Sequence, residues 1–273
     1  MNRVSKVIFT VLAALVCLTS IPAAMSAATV ELTAPIKAAF DKTAASADGK
    51  TAAVMSSLYN ALGIYQEEDR NWEGKIKALH YQNEQALIAV RKQIKEIDAD
   101  KLKKLDTEVK QTRERYKPLF AGYTALNKQI SASRKLKNKN LTAALSAQAD
   151  VMKLAVQLAR QDIDAKETAL KTAKDSTART IKTLRDALAA IDPLKVQITA
   201  QRSAASLPRK GLSPVWTNFK YAIKKTDAKR TFDSLETLVF LSRQIVQQQQ
   251  KIHALETRIS GIISKVKAQI PVS

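Results

Sequence analysis

Between Ser234 and Ile270 one row of side chains recurs every three and four residues: Leu238, Leu241, Ile245, Gln248, Ile252, Leu255, Ile259, Ile262, Val266 and Gln269. All but the two glutamines are aliphatic, and the residues between them are mostly Gln, Lys, Arg, Ser, Thr and Glu. The spacing follows the turn of an α-helix and leaves one apolar stripe on a polar rod. Such a heptad seam cannot bury itself, so it requires a second helix beside it. From Leu238 to Gln269 the rod is about 48 Å long. The positions from Leu238 to Ile262 are the candidate seam. Gln248 interrupts it as a polar residue that either fixes the register or faces partial solvent.

The same rhythm runs through the rest of the chain. Trp72, Ile76, Leu79, Asn83, Ala86, Val90, Gln93 and Ile97 alternate by three and four, and Leu87, Ile94, Leu105 and Tyr116 make a second stripe. Tyr116, Leu119, Tyr123, Leu126, Ile130 and Ser133 continue across Pro118, which predicts a kinked helix. Further on, Val156, Ile163, Leu170, Thr177, Leu184, Ile191 and Ile198 fall seven apart. Glycine and proline are scarce and aromatics make up only 5%, which suits long helices packed side by side better than a thick globular core.

The breaks divide the chain. Asp48-Gly49 reads as a turn, and Thr33 with Pro35 as a helix start. Arg134-Lys135-Leu136-Lys137-Asn138-Lys139-Asn140 reads as a basic turn, and Asp192-Pro193 as a kink or cap. Pro208, Gly211 and Pro214 mark the clearest interruption, after which Asp233 and Glu236 have capping-box spacing. The expected fold is all-α: an elongated antiparallel helical bundle or coiled coil with long heptad-patterned helices. Its expected segments are a signal peptide (1–27), an N-terminal arm with a short helix (28–66), and a long helical hairpin turning at 134–140 (67–204). A Pro/Gly-containing connector with an aromatic-bearing helix (205–233) and the terminal heptad helix (234–273) follow.

Arg3 and Lys6 precede an apolar run, Val7 to Ile21, and small residues lead to a cleavage site after Ala27. That is the pattern of an export signal and predicts an extracytoplasmic protein: secreted, cell-surface or periplasmic. The single cysteine, Cys17, lies inside this segment, so the remainder is expected to hold together without disulfides. No later stretch is apolar enough to predict a membrane span.

The residues give little sign of catalysis. His80 and His253 belong to no metal-ligand spacing, no serine sits in a Gly-x-Ser-x-Gly turn, and the glycines are isolated. No enzyme, cofactor or metal site is expected. Glu67-Glu68-Asp69 reads as the acidic first turn of a helix, and Trp72 and Trp216 as core anchors. The chain carries a net charge of +20. Its most basic short stretch makes Arg134, Lys135, Lys137 and Lys139 the candidate polyanion-binding residues. The expected function is a non-enzymatic scaffold or interaction protein. It would meet another helical protein, or itself, through its seams, and an anionic envelope polymer or lipid headgroups through its basic surface. No nucleic acid is expected. The alternatives are an ATP-independent extracytoplasmic holdase chaperone and a helical membrane-active toxin component.

Overall fold

A computed structural model describes residues 30–271. The expected signal peptide lies outside them. Six helices follow one another: α1 (Ala34–Ala45), α2 (Gly49–Glu96), α3 (Ala99–Lys135), α4 (Lys139–Ala189), α5 (Ile191–Lys224) and α6 (Ala228–Ala268). No strand occurs among the described residues, so the all-α expectation holds. The residues fall into two compact units. One comprises the chain up to Gln82 with Asp192–Ile259; the other comprises Asn83–Ile191 with the chain from Ser260 onward.

The first unit is built round an aromatic core supplied by four helices. Phe40 and Ala44 come from α1, and Met55, Tyr59 and Leu62 from α2. Trp216, Phe219 and Ile223 come from α5, and Leu235 and Leu238 from α6. Phe40 stacks on Tyr59 with ring centroids 4.5 Å apart, and Trp216 stacks on Phe219 at 5.1 Å. Each such pair adds about 1 kcal/mol to the burial of its rings. The Thr43 hydroxyl donates to the Ile223 carbonyl across α1 and α5.

Three expectations about helix limits change in this unit. Glu67–Asp69 is not a first turn, because α2 starts at Gly49 and runs through Gly63 without a break. Its true start is capped by Asp48, whose carboxylate accepts from the amides of Lys50 and Thr51. Nor does the chain break at 203–214, because α5 is continuous through Pro208, Gly211 and Pro214. Each proline costs a helix interior about 3 kcal/mol. Against that, Ala205, Pro208, Trp216, Phe219 and Ile223 are all buried at helical spacing, and large side chains of this kind are worth about 2 kcal/mol each when buried. The row is interrupted if the helix ends. Asp233 is not the start of the last helix either. α6 begins at Ala228, and Asp227 caps it by accepting from the Arg230 amide at 3.0 Å.

The second unit contains α3 and α4, which pack along each other. Joined by only three residues, they are antiparallel neighbours. Leu126, Ile130 and Ala149 form a small core there, flanked by Tyr123, Leu145 and Met152. Of the seven-residue repeat, Val156, Leu170, Thr177, Leu184 and Ile191 are buried in this unit and Ile163 is half-buried, while Ile198, also buried, belongs to the first unit. Thr177 stands out in that aliphatic row, and its hydroxyl donates to Asp98 Oδ2 at 2.6 Å. Asp98 has a left-handed backbone (φ 55°) and separates α2 from α3. Pro118 lies inside α3, which remains one helix.

Candidate functional site

The turn between α3 and α4 is built from a specific pattern of backbone bonds. Lys137 has a left-handed backbone (φ 52°). The Lys137 amide donates to the Arg134 carbonyl at 3.1 Å, and the Asn138 amide donates to the Ser133 carbonyl at 3.2 Å. This is a Schellman ending, which satisfies the last carbonyls of α3. Asn138 then caps α4 by accepting from the Leu141 amide at 3.1 Å. Buried Ser133 and the Thr142 hydroxyl bond to each other at 2.8 Å, tying the two helices together just below the turn.

On this frame Arg134, Lys135, Lys137 and Lys139 are all exposed. None of the four makes an ion pair among the described residues. The charges farther from the turn behave differently. Arg113 pairs with Glu167 at 2.7 Å, Lys166 with Glu108 at 3.3 Å, and Lys117 with Glu114 at 3.2 Å. The Tyr116 hydroxyl donates to Asp162, which raises the phenol above its ordinary pKa. Beyond that level the acids stop. The sequence has no Asp or Glu between Glu114 and Asp150, while it has Arg115, Lys117, Lys128 and the four turn residues. The hairpin end therefore carries cations with no internal counter-charge. The seven-residue basic cluster points to the turn, but the acid-free stretch of α3 and α4 around it is the wider signal in the sequence.

α6 carries a second organised set of polar groups. Its buried residues include Leu235, Leu238, Ser242, Ile245, Gln249, Ile252, Glu256 and Ile259, spaced by three and four. Of the candidate seam, Leu238, Ile245, Ile252, Leu255 and Ile259 are buried, whereas Leu241, Gln248 and Ile262 are half-buried. Leu241 rests against Gly211 of α5, where a Cβ would lie 3.2 Å from its Cδ1. The Gln248 side-chain oxygen is enclosed without a hydrogen bond among the described residues, while Gln249 beside it donates to Asp69 at 3.2 Å. Arg209 donates to the same carboxylate oxygen at 2.7 Å. Glu256, 1% exposed, lies 2.8 Å from His80 Nδ1. Hydrophobic spacing gives no sign of Ser242, Gln249 or Glu256; the last two meet polar partners from α2, Asp69 and His80. Asp69, read as part of an acidic turn, is instead the acceptor that holds Arg209 and Gln249.

The two histidines also have structural surroundings. His253 meets Trp72 edge-on at 5.1 Å, and Lys75 lies over the Trp72 ring. Trp72 is half-buried and Trp216 buried. In the aromatic core the Tyr59 hydroxyl is enclosed with no hydrogen-bond partner among the described residues. Burial, and then the charge of Asp41, raise its pKa.

No group of three or more His, Cys, Asp or Glu among the described residues is placed to hold a metal ion. None of the described helices is long and apolar enough to cross a membrane. Two open grooves lie along α3 and α4. One is lined by Phe120, Tyr123, Arg160, Ile163 and Asp164, the other mainly by charged residues from Asp106 to Asp175. Neither is an enclosed cavity with converging polar groups of the kind that binds small molecules. No family model matches the sequence, and no curated protein or solved structure is significantly similar to it.

Proposed function

We propose that this protein is an extracytoplasmic, non-enzymatic helical scaffold whose basic hairpin end binds a polyanion bearing phosphate or carboxylate groups, such as an envelope polymer or lipid headgroups. One observation carries the reading: the α3–α4 turn presents Arg134, Lys135, Lys137 and Lys139 exposed and unpaired, on a stretch with no acidic residue. Cations paired within a protein offer little field to a partner; cations without counter-charges attract one from a distance of about one Debye length, roughly 8 Å at physiological salt. The capped, hydroxyl-tied turn holds them at fixed spacing, so binding orders little backbone.

The test is binding of the full chain to a soluble polyphosphate and, separately, to vesicles with and without anionic lipid. Replacing all four turn cations by Gln is expected to weaken binding by more than about tenfold, since each cation near an anionic surface contributes on the order of 1 kcal/mol. Affinity for the wild type should fall steeply with salt. Polyphosphate binding without vesicle binding identifies a polymer partner, and the reverse identifies headgroups. Binding that ignores both salt and the four substitutions would defeat the proposal.

A further inference from the structure

Two seven-residue columns lie side by side on the outer side of α5. One is Ala200, Leu207, Pro214 and Tyr221; the other is Ser203, Lys210, Thr217 and Lys224. All eight residues are exposed among the described residues, with Leu207 77% and Tyr221 55% accessible. Residues three and four apart are neighbours on a helix surface, so the columns make one strip about 36 Å long. One edge of the strip is apolar and the other is polar or cationic.

That division decides what the strip can hold. A partner helix needs both columns apolar, because every side chain of a seam enters a hole between side chains of the partner. Here Lys210 and Lys224 would be carried into the seam and stripped of water. A soluble polyanion would meet the lysines and leave Leu207 and Tyr221 in water. A lipid surface takes both columns. Fluid acyl chains need no shaped hole, and lysines keep their heads at the phosphates while their stems lie along the apolar layer. Tyrosine suits the same boundary, with its ring toward the hydrocarbon and its hydroxyl among the headgroups.

Charge selects the kind of lipid. The sequence has no Asp or Glu between Asp192 and Asp227, while it has seven Lys and Arg there. Lys210, Lys220, Lys224 and Lys225 are exposed, and none makes an ion pair among the described residues. Lys225 lies over the Tyr221 ring, 5.9 Å from its centroid. Two acids that border α5 are already engaged: Asp69 holds Arg209, and Asp227 caps α6 and pairs with Arg230. We propose that this strip seats α5 side-on against an anionic lipid bilayer, with Leu207 and Tyr221 below the headgroups and Lys210 and Lys224 at the phosphates. The strip lies on a different helix from the α3–α4 turn and does not rest on polyanion binding there.

The experiment uses the full chain in a Cys17→Ser background that also has the four turn cations replaced by Gln, so that the turn is taken out of the reading. Ser203→Cys carries an environment-sensitive dye. Vesicles of phosphatidylglycerol and phosphatidylcholine are expected to shift its emission to the blue and shield it from iodide. Phosphatidylcholine vesicles and soluble polyphosphate are expected to do neither. Replacing Leu207 and Tyr221 together by Ser should weaken vesicle binding by more than about tenfold. Replacing Lys210 and Lys224 together by Gln should weaken it by about tenfold. Circular dichroism should be unchanged in both, because all four side chains are exposed. A dye that stays in water while the chain binds vesicles would overturn the proposal, since another part of the chain is then the anchor. So would a dye shielded before any vesicle is added, since the strip is then covered within the chain. A shift produced by polyphosphate or an acidic protein, and not by vesicles, would overturn it as well.

Discussion

The aromatic core of the first unit and the α3–α4 end of the second solve the same problem with opposite means. In the first, four helices share Phe40, Tyr59, Trp216 and Phe219, and rings stack at 4.5–5.1 Å. In the second, two helices share only Leu126, Ile130 and Ala149 with a few half-buried neighbours, and the turn is held by backbone caps and one hydroxyl pair. Four helices can enclose a core; two cannot, so the hairpin end leaves cations and aliphatic side chains in water. Stability is concentrated in the region that four helices enclose.

The comparison breaks first at its cores. Phe219→Ala should cost about 3–5 kcal/mol, because the ring is fully buried and stacked. Ile130→Ala should cost about 2 kcal/mol, the low end for such a truncation, because its cluster is thin. Both tryptophans, Trp72 and Trp216, lie in the first unit, so tryptophan fluorescence during urea unfolding reads that unit, and hydrogen exchange of the Leu126–Ile130 amides reads the hairpin. Equal costs would mean that the contrast is false.

A smaller effect concerns the polar layer of the first unit. Asp69→Ala removes the oxygen shared by Arg209 and the buried Gln249 amide, and should cost about 2 kcal/mol. Adding Gln249→Leu should recover much of it, measured by thermal unfolding of the single and double variants. Tyr59→Phe runs the other way. It removes an enclosed hydroxyl without a partner and should stabilise by about 1 kcal/mol. A loss of stability would show that the hydroxyl is satisfied.

The smallest effect separates two helix-interior glycines. At Gly122 in the hairpin a Cβ would meet only Met152 Cε at 3.5 Å. Gly122→Ala should therefore gain about 0.5–1 kcal/mol from helix propensity. At Gly211 the Cβ would press on Leu241 at 3.2 Å, and Gly211→Ala should gain less than Gly122→Ala in the same melting assay.

Apolar spacing exposed the helical class and much of the buried surface. Leu238, Ile245, Ile252 and Ile259 are buried as the rhythm of α6 suggests, and so is nearly all of the Val156–Ile198 repeat. The spacing was blind where a polar side chain is buried with a partner. Ser242, Gln249 and Glu256 look like surface residues in the sequence, and the partners of Gln249 and Glu256 come from α2, 180 and 176 residues away. It also over-read prolines. Pro208 and Pro214 each remove one donor, yet the buried row around them keeps α5 whole. The basic turn was visible because charge and turn propensity coincide there. The exposed strip on α5 was not, because Pro208, Gly211 and Pro214 read as a break across it.

The buried row of α4 makes its length an inherited constraint. Deleting one residue near Ala147 would turn everything beyond it by about 100°, exchanging wetted positions for packed ones along the rest of the rod. Losing seven residues would restore the row and merely shorten the arm. Natural variation in this stretch should thus come in whole heptads, with lone insertions and deletions confined to the three-residue corner.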